Sequence, residues 1–261
     1  MKIFSILCVK NEADIIEECL RRSSVWCDRI FVYDGASTDG TWEKVQAMAN
    51  DRIVAARCDD KVWDDSLRAE IFEQFRHEAR DGDWWCRLDA DEFYIDEPRD
   101  FLAARAPLHH SVWGLKFEYY LTDEELALMP EGRAPAGESP VDYLRHRARL
   151  HWGLKASAPT HVGLTSPGLI RFRHLPYRSP EQISRRLKQR LKSVADGHVN
   201  AGGWDAIVDD WEKMGYRNAS DLYLDAGDGN YQYDPAKIAD YKGSAKKRAI
   251  QWLCHASGYW P

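Results

Sequence analysis

Residues 29–41, RIFVYDGASTDGT, decide the fold: a short apolar run ends in Asp34, and a turn carrying Gly35 and Gly40 follows. Ser37, Thr38 and Asp39 stand where a helix N-cap is needed, because their side-chain oxygens can accept the first free backbone N–H groups. The stretch therefore predicts strand, loop and helix, with an aspartate at the strand's carboxyl end. The same rhythm runs outward in both directions. Upstream, residues 3–9 (IFSILCV) read as a strand. Residues 12–25 place Ile15, Ile16, Cys19, Leu20 and Ser23 at helical spacing, with acids early in the segment as the helix dipole prefers. Downstream come a helix over about 41–49, a strand at 52–57 (RIVAAR) and a helix over about 65–80 marked by Leu67, Ile71, Phe72 and Phe75. A strand at 84–88 (WWCRL) then runs into DADEF. Such alternation needs crossover connections, so the fold class is α/β, a mostly parallel sheet flanked by helices. In these sheets ligands bind beyond the carboxyl ends of the strands, where Asp34 and Asp89 both fall.

Beyond residue 95 the rhythm breaks. Residues 99–106 read as a short helix, 109–121 as one or two strands, and 130–140 (PEGRAPAGESP) as a mobile surface loop. Residues 143–175 read as short strands with turns. Ile183, Leu187, Leu191 and Val194 mark a basic helix over about 180–195, and 236–253 is expected to be helical. There is no internal repeat or low-complexity linker. The expectation is a single domain over 1–261, with a ligand- and metal-binding half at 1–100 and an acceptor-binding half at 101–261.

Composition narrows the class. With 44% hydrophobic residues in 261, the chain can bury a core without a disulfide scaffold. Eleven tryptophans argue against disorder and raise the question of whether some rings line a pocket. The net charge of -6 excludes a globally basic nucleic-acid binder, so no nucleic-acid partner is expected. Residues 171–192 nevertheless hold eight Arg or Lys against Glu181 alone. The six cysteines form no CxxC pair and mostly lie in apolar runs, as free thiols in a reducing compartment would. No apolar window is long enough for a spanning helix. A cytoplasmic setting is expected, with peripheral contact to an anionic membrane left open by the basic stretch.

DADEF sets Asp89 and Asp91 two apart. In an extended segment both carboxylates would face one side, and hard oxygen ligands suit Mg²⁺ or Mn²⁺ with phosphates completing the shell. Taken together, KNEADIIEECLRRSSVWCDRIFVYDGASTDGT and DWWCRLDADEF resemble the glycosyltransferases of the family 2 type, with a GT-A fold. The resemblance covers residues 1–100. It implies that DADEF is the metal-binding DxD element, with Asp91 the direct ligand and Asp89 nearer the donor sugar or ribose. It also implies that Val9, Asn11, Glu12 and Asp34 surround the nucleoside of a nucleotide-sugar donor, and that Arg68 meets the diphosphate. By the same analogy His174 completes the metal site, with His151 and His161 as weaker alternatives. This chain departs from the commoner pattern at YDGAS, which stands where a doubled aspartate and Gly-Ser are usual.

The reading that results is a metal-dependent, inverting glycosyltransferase of polysaccharide or lipid-glycan assembly. It would move a sugar from a nucleoside diphosphate to a glycan or glycolipid acceptor. Arg178 and its neighbours would offset charge on the leaving diphosphate, since arginine forms forked bonds to phosphate. The general base is not singled out: Asp142 and Glu118 lead, with Glu138 and Asp205 behind. Late tryptophans such as Trp113, Trp152, Trp204 and Trp211 are candidates to stack on an acceptor sugar. A nucleotidyltransferase on a similar sheet is the alternative, although KNEAD replaces the Gly-rich basic loop it would usually carry after the first strand. A non-catalytic polyanion- or membrane-binding scaffold is the third reading.

Overall fold

The computed structural model describes residues 1–61, 66–122, 132–133, 137–145, 164–195 and 210–224, with Lys246, Ala249, Ile250, Leu253 and Ser257. Of the helix expected over 236–253, Lys246, Ala249, Ile250 and Leu253 are described and helical, and the rest lies outside the described residues, as do Trp152, Trp204, His151, His161 and Asp205. The chain divides into two compact units that are not contiguous in sequence. The first takes Met1–Leu115, Glu138–Arg171 and Ala239–Pro261, and the second Lys116–Gly137 and Phe172–Ile238.

The first unit opens with the anticipated alternation: β1 (Ile3–Val9), α1 (Ile16–Trp26), β2 (Arg29–Asp34), α2 (Thr41–Met48), β3 (Ile53–Cys58), α3 (Ser66–Phe75) and β4 (Trp84–Leu88). β5 (Glu92–Tyr94), α4 (Pro98–Ala103) and β6 (His109–Glu118) follow. Then come β7 (Leu121–Thr122), β8 (Gly132–Arg133), β9 (Gly137–Arg145), β10 (Leu164–Thr165) and β11 (Ile170–His174). α5 (Pro180–Ala195), α6 (Trp211–Gly215), β12 (Tyr216–Arg217) and β13 (Tyr223–Leu224) complete the described elements. The main sheet runs β3-β2-β1-β4-β9-β6-β11-β5, with β10 paired to β6. Its β3-β2-β1-β4 portion is parallel, and β9 joins β4 antiparallel. The architecture is thus α/β with a mostly parallel central sheet flanked by helices.

Every residue of β1 is buried, as expected of a parallel strand covered on both faces. Its even-numbered residues Phe4, Ile6 and Cys8 join Phe31, Tyr33 and Trp85 in one cluster with Leu67, Ile71 and Phe72 of α3. Trp85 stacks on Phe4 at 5.1 Å and meets Phe72 edge-on at 5.0 Å. On the other face, Ser5 Oγ meets Cys27 Sγ, just past α1, at 2.8 Å. Alternation along a one-sided strand would bury only one of Trp84 and Trp85. Both are buried, because this sheet is covered on both faces. All five described cysteines are free thiols.

Two expectations need correcting. Residues 132–133 and 137–140 of the anticipated 130–140 loop are strand. Asp89 and Asp91 do not lie in an extended segment: Glu92 N–H donates to the Asp89 carbonyl at 3.2 Å, closing a turn between β4 and β5.

The second unit has its own small core of Leu121, Ile183, Leu187 and Met214, with Tyr177, Leu191 and Trp211 packed on it. Pro180 opens α5 and Ser179 caps it, accepting the Gln182 N–H at 3.1 Å. Gly215 ends α6 in close contact: an added Cβ would lie 2.5 Å from Ile183 Cδ1 and 3.0 Å from Tyr177 Cδ1.

Candidate functional site

Strand order places the first unit's polar residues. β1 leads to β2 and β3 on one side, and β4 then returns to the other side of β1. Sheets of this kind open a crevice where the order reverses, at the carboxyl ends. The register sets Val9 beside Asp34 and Asp34 beside Cys58, so three strands finish at one level.

The loops leaving β1 and β2 are stitched together there. Asn11 sits in the left-handed region at φ 57, and its side-chain oxygen accepts the Thr38 N–H at 2.8 Å. The Asn11 N–H donates to Ser37 Oγ at 2.8 Å, and the Glu12 N–H to Thr41 Oγ1 at 2.9 Å. Val9 contributes its carbonyl, which accepts the Gly35 N–H at 2.9 Å. Lys10 Nζ donates to the Gly35 carbonyl at 2.7 Å. Asp39 accepts from the Thr41 N–H at 3.1 Å, capping α2 from one residue before its N-cap, Gly40. Ala36 also adopts a positive φ of 55, which costs a residue with a Cβ about 1 kcal/mol.

Asp34 has no exposed surface. Its Oδ1 accepts the Ser37 N–H at 2.6 Å and the Cys58 thiol at 3.8 Å. Its Oδ2 is buried with no hydrogen-bond partner. An unsatisfied buried carboxylate oxygen is costly, and functional sites are where folds retain such costs.

At the end of β4, Asp89 is one-third exposed and ion-paired to Arg68, itself only 5% exposed. Arg87 Nη2 lies 3.9 Å from the other Asp89 oxygen. Asp91 is buried within the turn. These are oxygen donors of the type that Mg²⁺ or Mn²⁺ prefers. Among the described residues, however, no three His, Cys, Asp or Glu side chains group to hold a metal ion by themselves. The donor chemistry fits such an ion only where phosphate oxygens complete its shell.

The second unit holds a different carboxylate. Glu118 Oε1 receives Lys116 Nζ at 2.8 Å and lies 3.4 Å from His174 Nδ1, while Oε2 accepts the Tyr120 hydroxyl at 3.3 Å. The His174 contact, aided by Lys116, holds the Glu118 carboxyl down at about 2 against the opposing effect of burial. Tyr120 stacks on Tyr177 at 5.0 Å, and the Arg217 guanidinium lies 4.6 Å over the Tyr120 ring. Arg178 is buried, its Nη1 donating to the Leu175 carbonyl at 2.9 Å.

The first unit therefore brings together Val9, Asn11, Glu12 and Asp34, and separately Arg68 with Asp89. His174 and Arg178 belong to the second unit, and His174 is placed beside Glu118. The backbone of Asp142 lies in β9, and its side chain falls outside the described residues, as does that of Glu138. Sequence reasoning passed over Cys58 and Lys10. The signal available for Cys58 was its place directly after RIVAAR, at the end of a strand.

No protein-family model matches the chain, and no curated protein matches it. Among solved structures, a mannosyltransferase from Pyrobaculum calidifontis in complex with GDP-Man and Mn²⁺ matches over 75% of this chain at 13% identity, with a TM-score of 0.38. The chain spans 64% of that protein's length. A protein assigned as a glucose-1-phosphate thymidylyltransferase from Bacillus anthracis, in complex with a sucrose, matches over 83% of this chain and 86% of its own at 12% identity, with a TM-score of 0.33. Likeness at this level carries no argument about chemistry, which rests on the residues themselves.

Proposed function

We propose that the chain is a nucleotide-sugar-dependent glycosyltransferase of GT-A type, with the nucleoside held at the carboxyl ends of β1 and β2. The observation that carries this reading is the buried Asp34 with its unpartnered Oδ2 at the strand-order reversal. A nucleoside N–H or O–H donated to that oxygen would satisfy it, turning a folding cost into binding energy. The interlocked Asn11, Ser37 and Thr38 loops hold the surrounding backbone in one shape, so little ordering cost remains for binding.

Arg68 fixes the Asp89 carboxylate at the end of β4 and carries the positive charge nearest to it. Asp91 and Asp89 would hold a divalent ion together with the donor's diphosphate oxygens. When bound, that ion supplies charge neutralisation for the departing diphosphate. Transfer with inversion has the acceptor hydroxyl attack the anomeric carbon as the bond to the diphosphate oxygen breaks, while a carboxylate takes the hydroxyl proton. Glu118 is a poor candidate for that carboxylate, because both its oxygens are engaged and its carboxyl is held at about 2. Asp142 is carried forward instead, with a glycan or glycolipid as acceptor.

A thermal-shift panel of nucleoside diphosphates and their sugar conjugates, with and without Mn²⁺, tests the reading. Metal-dependent stabilisation by at least one diphosphate, lost in Asp91→Asn and Asp89→Asn, is expected. Binding to anionic vesicles without metal, unchanged in both variants and with no response to any nucleotide, would overturn it in favour of a scaffold.

A further inference from the structure

Cys58 ends β3 in register with Asp34. It is the exposed one among the described cysteines, while Cys8, Cys19, Cys27 and Cys86 are buried. Its Sγ lies 3.8 Å from Asp34 Oδ1, on a carboxylate with no exposed surface and an unpartnered second oxygen. A ligand that reaches this carboxylate must therefore come close to the Cys58 side chain.

We infer that Cys58 is a wall of the nucleoside subsite, its exposed thiol lying against the buried Asp34 carboxylate on the side from which a nucleobase would approach it. The inference rests on the nucleoside assignment above and adds a residue to it. Burial, and then the neighbouring Asp34 charge, push the Cys58 thiol upward. It therefore stays protonated near neutral pH and can donate to Oδ1, leaving Oδ2 as the acceptor without a donor. The same upward shift makes the thiol a slow nucleophile, so the rate at which an electrophile modifies it reports on occupancy of the subsite. Adding bulk to Sγ would obstruct that approach.

The test uses iodoacetamide on the full chain. Sγ displaces iodide and the thiol proton passes to solvent, leaving a carbamidomethyl group, and peptide-level mass spectrometry gives the rate at Cys58. With saturating UDP or GDP and Mn²⁺, whichever binds, alkylation of Cys58 should slow at least about fivefold. That protection should vanish in Asp34→Asn. Protein alkylated at Cys58 should lose at least about tenfold in nucleotide affinity, whereas the affinity of Cys58→Ser protein should be insensitive to the reagent. Nucleotide that binds through Asp34 yet neither protects Cys58 nor is weakened by its alkylation would overturn the inference while leaving the nucleoside assignment standing. Absence of nucleotide binding to untreated protein, or binding that survives Asp34→Asn, would remove both.

Discussion

Two carboxylates, one in each unit, show how differently a fold can treat the same chemical group. Asp34 in the first unit is fully buried with one oxygen left without a donor, while Glu118 in the second has lysine, histidine and tyrosine arranged around both oxygens. A satisfied carboxylate is a structural element: its charge is matched and its proton affinity suppressed. An unsatisfied one is a debt within the fold that a ligand's donor can settle. The carboxylate with both oxygens engaged is the less suited of the two to bind or react.

Substitutions in each unit separate the two cases. The largest effect is expected at Trp85, wedged among Phe4, Phe31 and Phe72. Trp85→Ala should cost about 3–5 kcal/mol in urea unfolding, because the first unit's stability resides in this aromatic layer. A cost below about 1 kcal/mol would mean that the layer is not what lets the unit tolerate Asp34.

Gly215→Ala should be next, at about 1–3 kcal/mol, since the new methyl would overlap Ile183 and Tyr177. Hydrogen exchange should localise the loss to the second unit's core, with nucleotide affinity unchanged.

Glu118→Gln should cost about 1–2 kcal/mol at neutral pH, discounted for partial exposure. The Glu118 carboxyl titrates at about 2 when folded, below the ordinary glutamate value. Its stabilisation is therefore complete above pH ~4.3 and fades as pH falls toward 2. Unfolding midpoints across that window should converge for wild type and Glu118→Gln. A constant gap would mean that the carboxylate charge contributes nothing.

The smallest effect belongs to Ala36→Gly, which should gain about 0.5–1 kcal/mol by removing a Cβ from a positive φ. A loss on urea unfolding would contradict strain at that turn.

Much of the fold was legible because it rests on local pattern. The alternation of the first 90 residues, the aspartates ending β2 and β4, and the span of α5 all follow from apolar spacing and capping. Trp84 and Trp85 were harder: alternation assumes one covered face, and burial of both depends on the sheet being covered on both faces. The Asp89–Asp91 geometry was misjudged because one hydrogen bond, from Glu92 to Asp89, turns the expected extended segment into a tight four-residue bend. The environment of Glu118 was not legible at all, since His174 approaches from 56 residues along the chain. The orphaned Asp34 oxygen was equally hidden, for it depends on how Ser37 and Cys58 share the other oxygen.

On the proposed reading the unpartnered Asp34 oxygen receives a donor from a nucleoside, and calorimetric titration of wild type and Asp34→Asn with UDP and GDP in the presence of Mn²⁺ separates that role from a purely structural one. The amide keeps the acceptor for Ser37 but places an N–H₂ where the ligand's donor should arrive. Wild type should bind at least one nucleotide and Asp34→Asn should bind it at least about a hundredfold more weakly, with the unfolding temperature shifted by no more than a few degrees. Equal affinity in the two proteins would contradict it.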